Sequence, residues 1–208
     1  MLASRYVATG PGHGVQLASG RLLVCCDHAT SADPKSRHIP GASTAIRSHA
    51  MLSDDFGSSW RVSNSLEDGD ECSIAPLANG SLLMEMRQST VANSSVYKRR
   101  QFAVSHTQGS SWSAPSTAPF PFVGGSNDCE ASMVRLPGSA RLIMSAPHHM
   151  NGRQNMSLFV SDTGESWQAL MQVDPGASGY SSLAAVNSSA ADLAWESSGS
   201  VRFATVQL

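Results

Sequence analysis

The sequence predicts an all-β protein built as a repeat, a β-propeller, and three observations carry that expectation. Short apolar runs are bounded by glycine, proline, serine and asparagine, the pattern of many short strands joined by tight turns. A motif, S-x-[DT]-x-G-x-x-W, occurs at residues 53–60 and 105–112; a variant at 160–167 keeps Asp162, Gly164 and Trp167 but has Val160 in the first place. The three tryptophans, Trp60, Trp112 and Trp167, lie 52 and 55 residues apart, which matches one four-stranded propeller blade per repeat. The motif reads as a folding device: a polar third residue bonds the turn's own backbone, glycine permits positive φ, and the indole packs between neighbouring sheets.

Taken in order, the first unit has a strand over 15–18, a turn at Ser19-Gly20, a return over 21–26, and a third strand over 45–52 that leads into the motif. The second runs over 72–77, turns at Ala78-Asn79-Gly80 and returns over 81–86, with Asn-Gly a strong hairpin signal. The third has strands over 132–136 and 141–145 around Pro137-Gly138, then 156–160. The fourth has strands over 181–186, 193–196 and 201–208, with the turn at 187–191, so four units are expected.

Composition narrows the partners. Charged residues are 14% and the net charge is -2, which leaves no basic field for a phosphate backbone and argues against nucleic acid. No apolar run approaches the ~18 residues of a membrane span, and Met1 to Gly10 lacks the charged and apolar regions of a secretion signal. The four cysteines, Cys25, Cys26, Cys72 and Cys129, show no C-x-x-C spacing and are expected as buried free thiols. No histidine spacing suits a metal, so neither metal nor cofactor is expected, and His148-His149 reads as part of a polar loop. Glu85, between Met84 and Met86, reads as the polar face of a strand. Four N-x-S sequons, at Asn79, Asn93, Asn155 and Asn187, suit a secretory or lysosomal address.

Strand direction locates the polar candidates. In an antiparallel unit, the start of the first strand, the end of the second and the start of the third share one end, and the motif turns share the other. Asp70-Glu71 precedes a first strand, Arg87 follows a second, Arg153 precedes a third and Gly179-Tyr180 precedes a first. All are expected on one rim around a common axis.

The ordered set Asp70-Glu71-Cys72, Met86-Arg87-Gln88, Cys129-Glu130-Ala131-Ser132, Arg153-Gln154-Asn155 and Ser178-Gly179-Tyr180-Ser181 resembles the exo-α-sialidases, as does the Gly10–Gly14 loop. The resemblance runs from about Gly10 to the C-terminus, and the motif turns match the Asp boxes of that family and of several unrelated propellers. It implies a retaining glycoside hydrolase acting on sialylated glycans, with Tyr180 as nucleophile and Glu71 as the carboxylate that takes its proton, Asp70 and Glu130 being the other carboxylates near that place. It implies that Arg87 and Arg153 are two members of the triad that holds the substrate carboxylate, and that Glu196 braces the triad's first arginine. His13, Asp27 and His28 are expected to line the pocket.

The family's first triad arginine and its acid-base aspartate lie upstream of the matched region, and Arg5 stands in no matching motif. About four of the family's six four-stranded blades are represented, so residues 1–208 are expected to form an incomplete propeller domain, truncated at its N-terminus and nearly inactive by itself. A non-catalytic scaffold and a sialic-acid-binding module remain the other readings.

Overall fold

A computed structural model of the chain describes residues 4–30, 46–88, 100–117, 129–150 and 152–208. Among these residues every regular element is a β-strand, and the strands form four antiparallel sheets.

The first sheet holds β1 (Ser4–Thr9), β2 (Val15–Gln16), β3 (Leu22–Thr30), β4 (Arg47–Ser53) and β5 (Arg61–Val62). β1 and β2 both pair with β3, so together they act as one interrupted strand from which the Gly10–Gly14 loop is pushed out. The Gly10 amide ties the loop back by donating to the Cys25 carbonyl at 2.6 Å. The expected strand over 15–18 is thus only a stub, and β1, rich in β-forming Tyr6, Val7 and Thr9, extends it.

The second sheet holds β6 (Gly69–Pro76), β7 (Leu82–Gln88) and β8 (Gln101–Ser105); the third holds β9 (Ser132–Arg135), β10 (Leu142–Pro147), β11 (Gln154–Ser161) and β12 (Gln168–Ala177). β13 (Ser181–Asn187), β14 (Ala190–Ser197) and β15 (Ser200–Gln207) make the fourth. The strand order expected for each unit is present; the Asn93 sequon lies outside the described residues.

The sheets stack through three apolar layers. Leu23, Leu52, Ile74 and Met84 fill the first, between sheets one and two; Leu83, Phe102, Met133 and Phe159 fill the next; Val134, Leu158, Leu183 and Leu193 fill the third. Sheets two and three are therefore covered on both faces, as their nearly continuous burial shows.

The motif turns serve this stacking. Ser53 Oγ accepts the Gly57 amide at 2.8 Å and Asp55 accepts the Ser59 amide at 2.8 Å; Ser105 and Thr107 repeat the arrangement with Gly109 and Ser111. A Cβ on Gly109 would lie 2.5 Å from Leu23, and one on Gly164 would lie 2.7 Å from Leu83, so each of these glycines lets its turn press on the preceding sheet. Trp112 and Trp167 are buried in the same layers. Trp60 belongs to the first sheet, has no preceding sheet among the described residues to pack against, and is 41% exposed. The third turn differs from its expected register: Ser161, not Val160, takes the serine's part by accepting the Gly164 amide at 2.8 Å, and Asp162 points outward to Arg141. One residue fewer separates serine from glycine, which the aligned Asp-Gly-Trp concealed.

The cysteine expectation is half corrected. Cys25 on β3 and Cys72 on β6 form a disulfide between the first two sheets, while Cys26 and Cys129 are buried free thiols. Spacing along the chain carried no sign of the pair, because it depends on two sheets meeting face to face.

Register divides the ends. Pro76 pairs with Leu82, and Leu82 with Ser105, so the β6–β7 turn and the motif turn share one end. Asp70, Glu71 and Arg87 stand at the other. No helix among the described residues is long and apolar enough to cross a membrane.

Candidate active site

Tyr180 is delivered by the three-residue link from β12 to β13. The Ser178 amide donates to the Arg153 carbonyl at 3.0 Å, and Gly179 and Tyr180 exchange backbone bonds of 2.9 Å with Glu196. Glu196 also accepts the Tyr180 amide on Oε2 at 3.1 Å. Any side chain on Gly179 would collide with that carboxylate, so glycine is needed where the link passes β14. Glu196, expected to brace an arginine, here clamps the tyrosine's backbone.

The next residue is held as firmly. The Ser181 amide donates to Glu130 Oε2 at 2.8 Å, and Glu130 is fully buried. Its other oxygen has no hydrogen-bond partner among the described residues and lies 4.0 Å from where a Cβ on Gly12 would be, so the Gly10–Gly14 loop leans over it. Burial pushes the Glu130 carboxyl well above the usual carboxylate range, and the Ser181 amide pulls the other way.

With the backbone placed, the phenol of Tyr180 donates to Glu71 Oε1. Arg87 donates to Glu71 Oε2 at 2.7 Å and stands 3.5 Å from the phenolic oxygen, with its Nε 3.9 Å from buried Asp70. The Arg153 guanidinium carbon lies over the Tyr180 ring, 5.2 Å from its centroid. Four sequence candidates, Tyr180, Glu71, Arg87 and Arg153, therefore meet, and of the three carboxylates left open it is Glu71 that faces the phenol. Burial and Glu71 raise the Tyr180 pKa above the ordinary tyrosine range, while the two guanidiniums oppose the rise. The phenol is neutral at rest. A cavity of about 570 Å³ opens alongside, lined by Arg153, Ser178, Gly179, Glu196, Ser198 and Val201.

A second tier underlies the cluster. Glu85 is completely buried and paired with equally buried Arg100, whose guanidinium also donates to the Cys129 carbonyl at 2.7 Å. Glu85, read as the polar face of a strand, thus lies on a face that is buried and ion-paired. The alternation was right, but that face of β7 is covered by the third sheet. Burial raises Glu85 to about 7, with Arg100 acting against it. Arg100 itself was missed; the sign that could have found it is the charge at position 85 in an apolar strand, which requires a buried partner.

The three weaker candidates belong to the first sheet and its glycine loop. Asp27 and His28 are buried near the end of β3, where His28 Nδ1 lies 2.9 Å from Nδ1 of His49 on β4. Burial first, and His28 second, lower His49 to about 4. His13 is half-buried in the glycine loop with its pKa lowered by burial. Among the described residues, no group of three or more His, Cys, Asp or Glu is placed to hold a metal ion.

A family model for the BNR repeat-like domain matches residues 2–193. The chain is 29% identical over 219 residues to the sialidase of Micromonospora viridifaciens, a match covering 99% of this chain and 31% of that protein. It is 28% identical over 208 residues to a Vibrio cholerae sialidase, covering 85% of this chain and 26% of the relative. It therefore spans less than a third of the length of either. Human Sialidase-4 is 41% identical over 76 residues, 35% of this chain and 15% of that one. Among solved structures, the Hadza microbial sialidase Hz136 superposes with a TM-score of 0.80 at 21% identity, covering 99% of this chain and 39% of its own. Trypanosoma rangeli sialidase, solved with sialic acid, gives 0.71 at 18% identity, with coverages of 99% and 32%. At such identities the superpositions speak for the fold, and the sequence matches speak for kinship. The chain belongs to the BNR repeat-like domain family and, with it, to the exo-α-sialidase family.

Proposed function

We propose that residues 1–208 are an incomplete sialidase propeller domain, with the four sheets as about four of six blades and the motif turns as Asp boxes. In this reading Tyr180 is the nucleophile of a retaining exo-α-sialidase. Glu71 is its base, and Arg87 and Arg153 hold the carboxylate of the sialic acid.

The observation that carries the reading is the shared Glu71 carboxylate, which takes the Tyr180 hydroxyl on one oxygen and the Arg87 guanidinium on the other. A neutral phenol can approach an anomeric carbon that already bears a carboxylate, where a second anion would be repelled. As the phenolic oxygen bonds to that carbon, its proton passes to Glu71 and the glycosidic C–O bond breaks, its electron pair leaving with the aglycone. Water then displaces the tyrosine, the departing phenolate oxygen recovers its proton from Glu71, the water's proton passes to solvent, and the configuration is retained. Tyrosine nucleophiles are the sialidase exception among glycosidases, most of which use two carboxylates.

No residue of this chain matches the family's acid-base aspartate or first triad arginine. Natural glycans, whose leaving groups need protonation, are then turned over ~100- to 10,000-fold below a normal rate or worse.

The test avoids that deficit. In 2,3-difluorosialic acid the leaving group is fluoride, which departs without a strong acid. Incubation followed by peptide mass spectrometry is expected to find the fluorosugar bonded to Tyr180 and to find none in Tyr180→Phe or Glu71→Gln. Saturable binding without an adduct would assign a binding module instead, and a chain that neither binds nor reacts would leave only a repetitive scaffold.

A further inference from the structure

We propose that Asn79 and Asn187 are acceptors of N-linked oligosaccharide, that Asn155 is not, and that the protein folds in a secretory, thiol-oxidising compartment. The three sequons have the same N-x-S pattern, yet the fold treats them differently.

Asn79 is exposed in the hairpin turn between β6 and β7. Its Oδ1 accepts both the amide and the hydroxyl of Ser81, at 3.0 and 2.6 Å. Asn187 closes β13 in the same way, its Oδ1 accepting the Ser189 amide at 2.8 Å and the hydroxyl at 3.1 Å. Each side chain is thus anchored by its oxygen, and the nitrogen that would carry the sugar is not needed by the turn. Asn155 is the reverse: half-buried, at a φ of 62°, with its Nδ2 donating to the His148 carbonyl at 2.8 Å. A sugar there would have to fit between the start of β11 and the His148 loop.

Position separates the sites as sharply. The β6–β7 and β13–β14 turns lie at the end of their sheets away from Glu71 and Tyr180, as the Pro76–Leu82 and Ser181–Trp195 pairings require. Glycans at Asn79 and Asn187 would project from the far face. Asn155 is two residues from Arg153, whose guanidinium covers the Tyr180 ring, so a glycan there would stand in the mouth of the cluster. The buried Cys25–Cys72 disulfide points independently to the compartment, since such bonds persist where thiols are kept oxidised.

The donor this requires is an oligosaccharide linked through pyrophosphate to a polyprenol. The asparagine Nδ2 forms a bond to the sugar's anomeric carbon, the bond from that carbon to the pyrophosphate oxygen breaks, and the electron pair leaves with the polyprenyl pyrophosphate. One amide proton passes to a base of the transferase. The transfer needs only an extended chain; the fold decides which product survives.

The experiment is expression of the whole chain behind a cleavable secretion signal in a eukaryotic cell, with secreted and retained protein both collected. Peptide N-glycosidase in heavy-oxygen water marks each formerly glycosylated asparagine as a labelled aspartate. A digest without the enzyme counts spontaneous deamidation at Asn79-Gly80. Label is expected at Asn79 and Asn187 and not at Asn155. Asn79→Asp and Asn187→Asp should each lose one glycan on a gel; both keep the oxygen that anchors the turn, so folding is undisturbed. Folded protein with either Asn79 or Asn187 unmodified, or with Asn155 modified, overturns the proposal.

Discussion

The phenolic hydroxyl of Tyr180 donates to the carboxylate of Glu71, 109 positions away in sequence. The two meet because β6 and β13 start at the same end of the second and fourth sheets, which flank the third, and because Glu196 and Glu130 fix the backbone on either side of the tyrosine. Glu71 raises the phenol's pKa together with burial, so Glu71→Gln is expected to bring it down toward the ordinary tyrosine range. Ultraviolet titration, with Tyr180→Phe subtracted to remove Tyr6 and Tyr97, measures it. Because the folded pKa is raised, the group's contribution to stability is complete below the unfolded value and is lost as pH rises beyond it.

Glu130 tests the support beneath the nucleophile. Glu130→Gln keeps an oxygen for the Ser181 amide, whereas Glu130→Ala leaves that amide without its acceptor. Trapping of Tyr180 by the fluorosugar is expected to slow roughly 10- to 100-fold in the alanine variant through misplacement of the phenol. In the glutamine variant it should stay close to the parent rate. Equal slowing in both would show that charge, not position, is what Glu130 supplies.

Two glycines with similar φ separate strain from crowding. Gly80 has a φ of 85° and no described residue within 4 Å of where its Cβ would be, so Gly80→Ala should cost about 1 kcal/mol. Gly109, at a φ of 82°, would also drive its new methyl into Leu23, and Gly109→Ala should cost about 2–4 kcal/mol. Denaturant melts of the two variants compare them directly.

The buried histidine pair gives a pH signature. His49 is lowered to about 4, so the folded state resists protonating it; its contribution is whole above about pH 6.5 and declines as pH falls toward 4. Glu85, raised to about 7, acts in the opposite sense: its contribution is whole below the ordinary carboxyl range and is lost as pH rises through 7. Glu130, also raised by burial, acts in the same sense as Glu85, so wild type alone does not report the histidine. The stability difference between wild type and His49→Gln isolates the histidine and should shrink, on going from pH 7 to 4, by on the order of 2–3 kcal/mol.

The disulfide predicts a thiol count. Without reductant, the denatured chain should expose two reactive cysteines, Cys26 and Cys129, and with reductant four. Closing a loop of 47 residues is worth about 4 kcal/mol in the chain-entropy account, so Cys72→Ser should lower stability by a comparable amount. Unfolding in urea with and without reductant checks the value.

Most of the hairpins were legible residue by residue because they rest on local chemistry, Asn79-Gly80 making a turn wherever it sits and alternation sorting each strand's faces, whereas β1 and β12 were not among the expected strands. The shared end for Glu71, Arg87, Arg153 and Tyr180 followed from antiparallel order alone. Glu85 marks where local reading stops. Alternation told which face it occupies but not that a further sheet covers that face, so its burial with Arg100 was invisible.

The sequence by itself determined the all-β class, the order of the strands and which polar residues gather at one end, since these depend on near neighbours and a repeated period. Tertiary structure alone decided that Glu71, and not Asp70 or Glu130, meets the phenol, that Cys25 finds Cys72, and that Trp60 stays partly in solvent while Trp112 and Trp167 are enclosed. Each of these is settled by how one sheet lies against the next. That contact joins residues tens of positions apart, which no short window of sequence contains.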